Sequence, residues 1–265
     1  MCYNIAMSSW SSRRKSLYGL GTIVAVVVVI GIPAFLLWYK VPSCFDGLQN
    51  GDEKGRDCGG SCLKLCQTDF LPPRIVWGGA KFEKVAPSLY NIAAYIENQN
   101  ITAAAVNVPY KITLYDTQGN FIAEKQGTLD IPPHRNTIVF NGAVNVGQRT
   151  PAKATFEFMK APVWFKSHDT LDALAIGNKD YQEDDKNSSL QVTLKNTALT
   201  PYTNVEVGVV LYDINNNAIG FSKTILDQVS PNGGQEIAPF TWPVSRQGRV
   251  TSIEVLPVVD SPRDR

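Results

Sequence analysis

The chain has 265 residues and a formal net charge of +1, from 25 basic and 24 acidic side chains. This balance gives no overall basic field that would attract nucleic acid, and the chain has no acidic tail. About 225 residues follow the apolar segment near the N-terminus, which is enough for two ordinary domains.

The segment 17–39 contains no charged side chain and is the most uniformly apolar stretch of the chain. As a helix it would span roughly 34 Å, against about 30 Å for the hydrocarbon core of a bilayer. Basic residues occupy positions 13–15, and the first acidic residue is Asp46. Because excess basic charge stays in the cytoplasm, we expect residues 1–16 to be a disordered cytoplasmic stub and the chain beyond the helix to be extracytoplasmic.

Two other roles for this segment fit less well. A cleaved signal peptide has a shorter apolar region of about 7–15 residues and a small-residue cleavage site, and neither feature occurs here. A lipoprotein signal would use residues 41–44, in which Pro42 fits poorly. We therefore predict an uncleaved signal anchor that crosses the cell membrane once.

Residues 40–69 are predicted to form a small Cys-rich, membrane-proximal segment. The segment is rich in glycine and has few apolar residues from which to build a core, so it needs disulfides or a metal. An even number of cysteines in an oxidising compartment favours two disulfides. All three pairings remain open among Cys44, Cys58, Cys62 and Cys66.

This segment resembles a short motif of extracellular proteins, C-x-D-G-x-x-N-G-x-E-x-x-x-D-C-G-G-x-C-x-x-C. Here three residues, instead of two, separate Cys62 from Cys66. The motif carries no known activity. The matching residues are Cys44, Asp46, Gly47, Asn50, Gly51, Glu53, Asp57, Cys58, Gly59, Gly60 and Cys62.

Metal binding is the alternative use of the Cys-rich segment. Four cysteines could hold zinc, although Cys44 lacks the near partner that zinc knuckles use. Calcium prefers hard oxygen ligands, and the segment contains several, but their spacing is not that of an EF-hand. We favour disulfides with solvated carboxylates and expect no other cofactor. The calcium candidates are Asp46, Asn50, Asp52, Glu53 and Asp57.

Beyond residue 70 the sequence contains an internal repeat of about 97–98 residues, with alternating apolar positions typical of strands. Residues 108–114 align with 205–211, and each stretch runs into Leu-Tyr-Asp, at 114–116 and at 211–213. A Gly-Asn or Asn-Asn turn follows each motif. The other aligned elements are Asn98 with Asn196, Ile96 with Leu194, and Phe156-Glu-Phe158 with Ile253-Glu-Val255.

The Leu-Tyr-Asp strand, its turn and the preceding strand that ends in Asn resemble the FxLYD-type domains, which are immunoglobulin-like modules of bacterial and archaeal envelope proteins. The resemblance implies an all-β fold with two tandem immunoglobulin-like sandwiches, at residues 70–166 and 167–265. We expect each sandwich to fold alone, with Leu114 and Leu211 at equivalent core positions.

No sequence motif for catalysis occurs in the repeats, and we predict that the chain is not an enzyme. His134 and His168 are interpreted as loop residues, and the aromatic residues Trp77, Trp164, Phe165 and Trp242 as packing residues. The acidic run Asp180, Glu183, Asp184 and Asp185 is interpreted as a solvated loop, with calcium binding as its alternative.

These features predict a membrane-anchored extracytoplasmic protein that acts in protein binding or as a structural part of an envelope assembly. The alternatives are a carbohydrate-binding or enzymatic accessory protein that uses the sandwich loops, and a passive spacer. A protein partner in the cell envelope is expected, and nucleic acid is not. The sequence leaves the partner's identity and the oligomeric state open.

Overall fold

A computed structural model describes residues 8–39, 41–167, 171–184, 187–243 and 248–259. The chain is mostly β, with 54% of residues in strands and 11% in helices. It divides into two compact units, residues 1–57 and residues 58–265. The Cys-rich segment is thus divided between the two units, since the boundary follows Asp57.

The first unit begins with one apolar helix of spanning length. Helix α1 (Ser8–Val26) continues through a π-helical turn (Val27–Gly31) into α2 (Ile32–Trp38). Pro33 lies in the first turn of α2, where its missing N–H and its ring disturb the regular ladder of hydrogen bonds. The helix begins at Ser8 instead of Leu17, because a nucleated helix extends at little cost through polar residues.

The first sandwich consists of seven strands in the order β4-β3-β6-β1-β2-β5, with β7 paired to β3. The halves β4-β3-β6 and β1-β2-β5 enclose an apolar core and are joined where Ala80 of β1 pairs with Ala154 of β6. The strands are β1 (Arg74–Ala86), β2 (Leu89–Glu97), β3 (Ala103–Tyr115), β4 (Phe121–Ile131), β5 (Asn136–Asn145), β6 (Lys153–Phe158) and β7 (Trp164–Lys166).

The second sandwich has two three-stranded sheets, β11-β10-β13 and β12-β9-β8, around a second core. This order reproduces that of the first sandwich, with β8 to β13 in the places of β1 to β6, so the sequence repeat is a repeat of topology. The strands are β8 (Leu174–Glu183), β9 (Asn187–Asn196), β10 (Tyr202–Tyr212), β11 (Ala218–Val229), β12 (Gly234–Pro243) and β13 (Ser252–Val258).

Strand pairing gives the equivalent positions of the two sandwiches. Leu114 and Leu211 are both fully buried, as predicted. Leu114 pairs with Ala154 and Leu211 pairs with Ile253, so these two partners are equivalent. The sequence alignment of 156–158 with 253–255 was therefore wrong by two residues. Such a slip keeps the same face inward, because side chains alternate with a period of two.

A bulge distinguishes β1 from β8. Strand β1 pairs with β2 at Ile75 and next at Ala80, so the four residues 76–79 lie opposite one residue of β2. At the same place β8 has only residues 177 and 178 opposite one residue of β9. The longer bulge brings β1 against β6, where the ideal Cβ of Gly79 would lie 3.2 Å from the carbonyl oxygen of Ala154.

A third apolar cluster joins the two sandwiches. Trp77, at the β1 bulge, packs against Tyr95 and against Phe221 of the second sandwich, with ring centroids 5.5 and 6.1 Å apart. Because both sandwiches contribute, residues 58–265 form one compact unit. The buried members of the cluster are Ala93, Tyr95, Ile138, Val210, Phe221 and Leu256.

Candidate functional site

The aspartate of each Leu-Tyr-Asp motif organises the turn that follows it. One oxygen of Asp116 accepts the backbone N–H groups of Gln118 and Asn120, and the other accepts the Asn120 amide. Asp213 makes the same three contacts in the second sandwich. Hydrogen bonds from Asn120 and from Asn217 lower the pKa of the two carboxyls. The motif therefore has a structural role.

A buried asparagine closes the other end of each sandwich. The Asn98 amide donates to the carbonyl oxygens of Ala103 and Pro132, both at 2.7 Å. Asn196 donates to the carbonyls of Thr200 and Val229. Each side-chain oxygen also accepts the backbone N–H two residues later. The paired asparagines that the repeat alignment identified are thus equivalent loop-binding residues.

The two sandwiches are also joined by a polar contact centred on Glu254. Its carboxylate accepts the Tyr95 hydroxyl at 2.6 Å and the Tyr212 hydroxyl at 2.9 Å. Burial is the main cause that raises the pKa of both tyrosines, and Glu254 raises it further. Both hydroxyls are thus neutral donors at physiological pH, which suits a structural contact.

A cleft of about 140 Å³ lies between the two sandwiches. It is lined in part by Tyr110, Asp130, Glu206 and Lys223. Lys223 and Glu206 form an ion pair at 3.0 Å, so these two charges neutralise each other. The cleft is small for a ligand site, since such pockets usually measure about 300–1,000 Å³.

The prediction of disulfides is confirmed, because all four cysteines of the Cys-rich segment are disulfide-bonded. Cys58 pairs with Cys66, which selects among the three pairings that the sequence left open. Since a disulfide sulfur is not a thiolate, these cysteines do not form a four-cysteine zinc site. The run 63–65 lies beside β7, with backbone bonds from Leu65 to Trp164 and from Lys166 to Leu63.

The candidate calcium ligands hold the turns of the Cys-rich segment. Asp46 accepts the Leu48 N–H and the Asn50 amide, while Asp57 accepts the Gly47 N–H. Glu53 accepts the N–H groups of Asn50 and Asp57. Asp52 is exposed on the intervening turn. Most of the hydrogen bonds that these carboxylates accept come from backbone N–H groups. Calcium binding at this segment stays a prediction.

The other singled-out residues are mostly packing or turn residues. Trp164 and Trp242 are buried in the first and second cores. Phe165 is exposed on β7, so its prediction as a packing residue was wrong; its neighbour Trp164 points inward because side chains alternate along a strand. His134 is exposed on the β4–β5 turn with φ of 50°, a conformation that histidine adopts more often than most residues. Asn232 occupies the same turn of the second sandwich with φ of 57°. His168 lies outside the described residues.

The acidic run was assigned to a loop, but Asp180 and Glu183 lie within strand β8. Polar residues are tolerated in this strand because β8 is at the edge of its sheet and most of its side chains are exposed. Asp184 follows the strand, and Asp185 lies outside the described residues. Charged side chains on an exposed edge strand disfavour aggregation through pairing with strands of other molecules.

An open groove of about 430 Å³ separates β8 from β13. In the first sandwich the equivalent edges are in direct contact, through Ala80 and Ala154. Here Lys179 takes the place of Ala80, and its ammonium group donates to the Ile253 carbonyl at 2.9 Å. The β8–β13 groove is lined by Ile176, Lys179, Tyr212, Asn216, Ser252, Ile253, Glu254 and Val255.

Comparison with known proteins gives no functional identification. No protein family and no curated protein matches the chain. Solved structures that resemble it include an exo-chitosanase from Amycolatopsis orientalis, at 13% identity over 68% of this chain and 26% of that chain, with a TM-score of 0.20. Another is a GH2 beta-galacturonidase from Eisenbergiella tayi, at 8% identity over 72% of this chain and 42% of that chain, with a TM-score of 0.18.

Neither likeness supports an argument about activity at these TM-scores, and this chain spans less than half the length of either enzyme. The site features that sequence reasoning missed are Lys179 and Glu254. The two-residue difference between the β1 and β8 bulges was a signal in the sequence. This difference in length can be recognised only when the strand register is known, because the repeat alignment did not extend to β1 and β8.

Proposed function

We infer that this chain is a single-pass membrane protein whose N-terminus is cytoplasmic and whose paired sandwiches bind another protein outside the membrane. The observation that carries the inference is the order of elements. A helix of spanning length, with basic residues on its N-terminal side, is followed directly by disulfide-bonded cysteines. Disulfides persist in oxidising compartments, and basic flanks remain in the cytoplasm.

The paired sandwiches support a binding role over that of a flexible spacer. An apolar cluster and the Glu254 contact join them, so loops and edges from both keep a fixed geometry. Rigid scaffolds of this kind favour recognition, because little conformational entropy is lost when a partner binds. A spacer would need neither the buried cluster nor the exposed strand edges.

The carbohydrate-binding alternative receives less support. Such sites stack sugars on exposed aromatic rings, whereas Trp164 and Trp242 are buried and Trp77 packs against Tyr95. The resemblance to FxLYD-type modules of envelope proteins agrees with a protein partner, as an argument from fold alone.

Crosslinking in intact cells tests the proposed function. The full chain is expressed in its native cells, treated with a membrane-impermeant crosslinker and isolated under denaturing conditions. We expect one protein partner to be recovered repeatedly and in saturable amounts. The control joins residues 1–57 to an unrelated exported domain and should not recover that partner. Equal recovery from both chains, or crosslinks to no protein, would contradict a binding role.

A further inference from the structure

We propose that the β8–β13 groove of the second sandwich binds an extended, basic segment of a partner protein by β-strand addition. The inference rests on the proposed function and gives it a site. The first sandwich shows a strand in contact with the equivalent edge, since Ala80 of β1 pairs with Ala154 of β6. In the second sandwich a lysine side chain spans the same position.

The Ile253 carbonyl is the acceptor that an incoming strand would use. It is equivalent to the Ala154 carbonyl, which lies against β1 at Gly79. The Lys179 ammonium group now donates to the Ile253 carbonyl from an exposed, flexible side chain. A backbone N–H of an incoming strand can replace that donor, after which Lys179 is free to turn into solvent.

The contact also indicates which residues suit the bound strand. At the closed edge, the ideal Cβ of Gly79 would lie 3.2 Å from the Ala154 carbonyl oxygen, which is tighter than most side chains accept. Small residues at the centre of the incoming segment are therefore favoured. Longer side chains can project on either side of the groove, because side chains alternate along a strand.

Charge favours a basic segment over a second copy of this chain. Among the described residues of the edge and groove, one basic side chain, Lys179, is accompanied by four carboxylates, so these five groups carry a net charge of −3. The carboxylates are those of Asp180, Glu183, Asp184 and Glu254. Pairing of β8 with another β8 would bring these carboxylates together, which is unfavourable. A partner segment with two or more net positive charges is attracted to the edge.

Strand β1 of this chain has the stated chemistry and supplies a probe. Its sequence RIVWGGAKFEKVA has a small-residue centre and a net charge of +2, from three basic residues and one acidic residue. A synthetic peptide of this sequence is titrated into the full chain in nonionic detergent. A second peptide carries methyl groups on the backbone nitrogens that correspond to Gly79 and Ala80.

We expect saturable binding of the unmodified peptide, with slower amide hydrogen exchange in residues 174–183 and 252–258. Backbone methylation removes N–H donors without changing charge, and should weaken binding by at least about tenfold. The double variant D180K/E183K should weaken binding by about tenfold or more, because it reverses the charge of the edge. The matched variant D227K/E236K reverses two exposed charges of β11 and β12 and should bind normally.

Several results would overturn the proposal. These are no saturable binding up to about 1 mM peptide, equal affinity of the methylated peptide, or protection outside β8 and β13. A dimer of the full chain that D180K/E183K abolishes would assign the edge to a second copy instead. If the peptide fails while the cellular partner is still captured, the site is wrong and the proposed binding function stands.

Discussion

Tyr95 in the first sandwich donates a hydrogen bond to Glu254 in the second at 2.6 Å, although 159 positions separate them in the sequence. Tyr212 donates to the other oxygen of the same carboxylate. This contact lies beside the apolar cluster of Trp77, Tyr95 and Phe221. The relationship makes the two repeats one structural unit, and its consequences can be measured.

Removing Glu254 should destabilise the chain measurably. In E254A two half-buried hydroxyls lose their acceptor, which costs about 1–3 kcal/mol for each group left unsatisfied. Urea unfolding followed by tryptophan fluorescence measures the loss. E157A removes a more exposed glutamate whose ion pair with Lys111 is 3.6 Å long, and should change stability by less than about 0.5 kcal/mol. Equal effects of the two variants would contradict the structural role of Glu254.

The same contact predicts sensitivity to alkali. The pKa of Tyr95 and of Tyr212 is raised in the folded chain above the ordinary value of 10.0. Above pH 10 the unfolded chain therefore releases protons that the folded chain retains, so stability falls as pH rises. The variant Y95F/Y212F should have a shallower decline between pH 10 and 11 than the unmodified chain. Parallel declines in unfolding midpoint would contradict the assignment.

The buried asparagines should tolerate no isosteric replacement. In N98D and N196D the amide donors are replaced by a carboxyl that faces backbone carbonyl oxygens, at a cost of about 1–3 kcal/mol or more. The exposed control N232D keeps a residue type that accepts positive φ, and should be close to neutral. Thermal unfolding of the three variants provides the comparison, and a near-neutral N196D would refute the loop-binding role.

Separating the repeats should reveal the cluster between them. Fragments 70–166 and 167–265 each retain a core of their own, so each should unfold cooperatively. Each also exposes half of the shared cluster, so the mixed fragments should associate. Size-exclusion chromatography of the fragments, alone and mixed, measures this. Two folded fragments that never associate would show that the cluster contributes little.

Reduction of the disulfides should act locally. Cys58 and Cys66 flank the run 63–65, which is hydrogen-bonded to β7. After treatment with a reductant we expect faster amide exchange in residues 58–66 and 164–166, and unchanged exchange in β9 and β10. The second sandwich is thus an internal control. A uniform rise in exchange would mean that the disulfides support the whole chain.

The sequence predicted structural features correctly where the pattern of residues was local and periodic. The apolar run predicted the helix, and alternation predicted that Leu114 and Leu211 would be buried in equivalent strands. The repeat alignment also predicted the turn after each Leu-Tyr-Asp motif and paired Asn98 with Asn196. These features recur at matching positions of the two repeats, so the repeat alignment could find them.

Features that depend on long-range contacts could not be read in the same way. The alignment of 156–158 slipped by two because alternation specifies a face but not a register. Asp180 was assigned to a loop because acidic residues are uncommon in strands, but the exposed edge strand β8 leaves its carboxylate in solvent. The role of Glu254 can be recognised only when the packing of the two sandwiches is known, because its partner Tyr95 lies in the other sandwich. That packing depends on the shapes of both surfaces and leaves no local pattern in the sequence.

The proposed topology, on which the binding function depends, can be tested within one protein. Cys2 lies before the helix, and the other four cysteines are disulfide-bonded. The variant L199C adds one thiol at a loop residue that is 85% exposed. In intact cells a membrane-impermeant maleimide should label the introduced thiol and leave Cys2 unlabelled until the membrane is permeabilised. Labelling of Cys2 with protection of the introduced thiol would contradict the account.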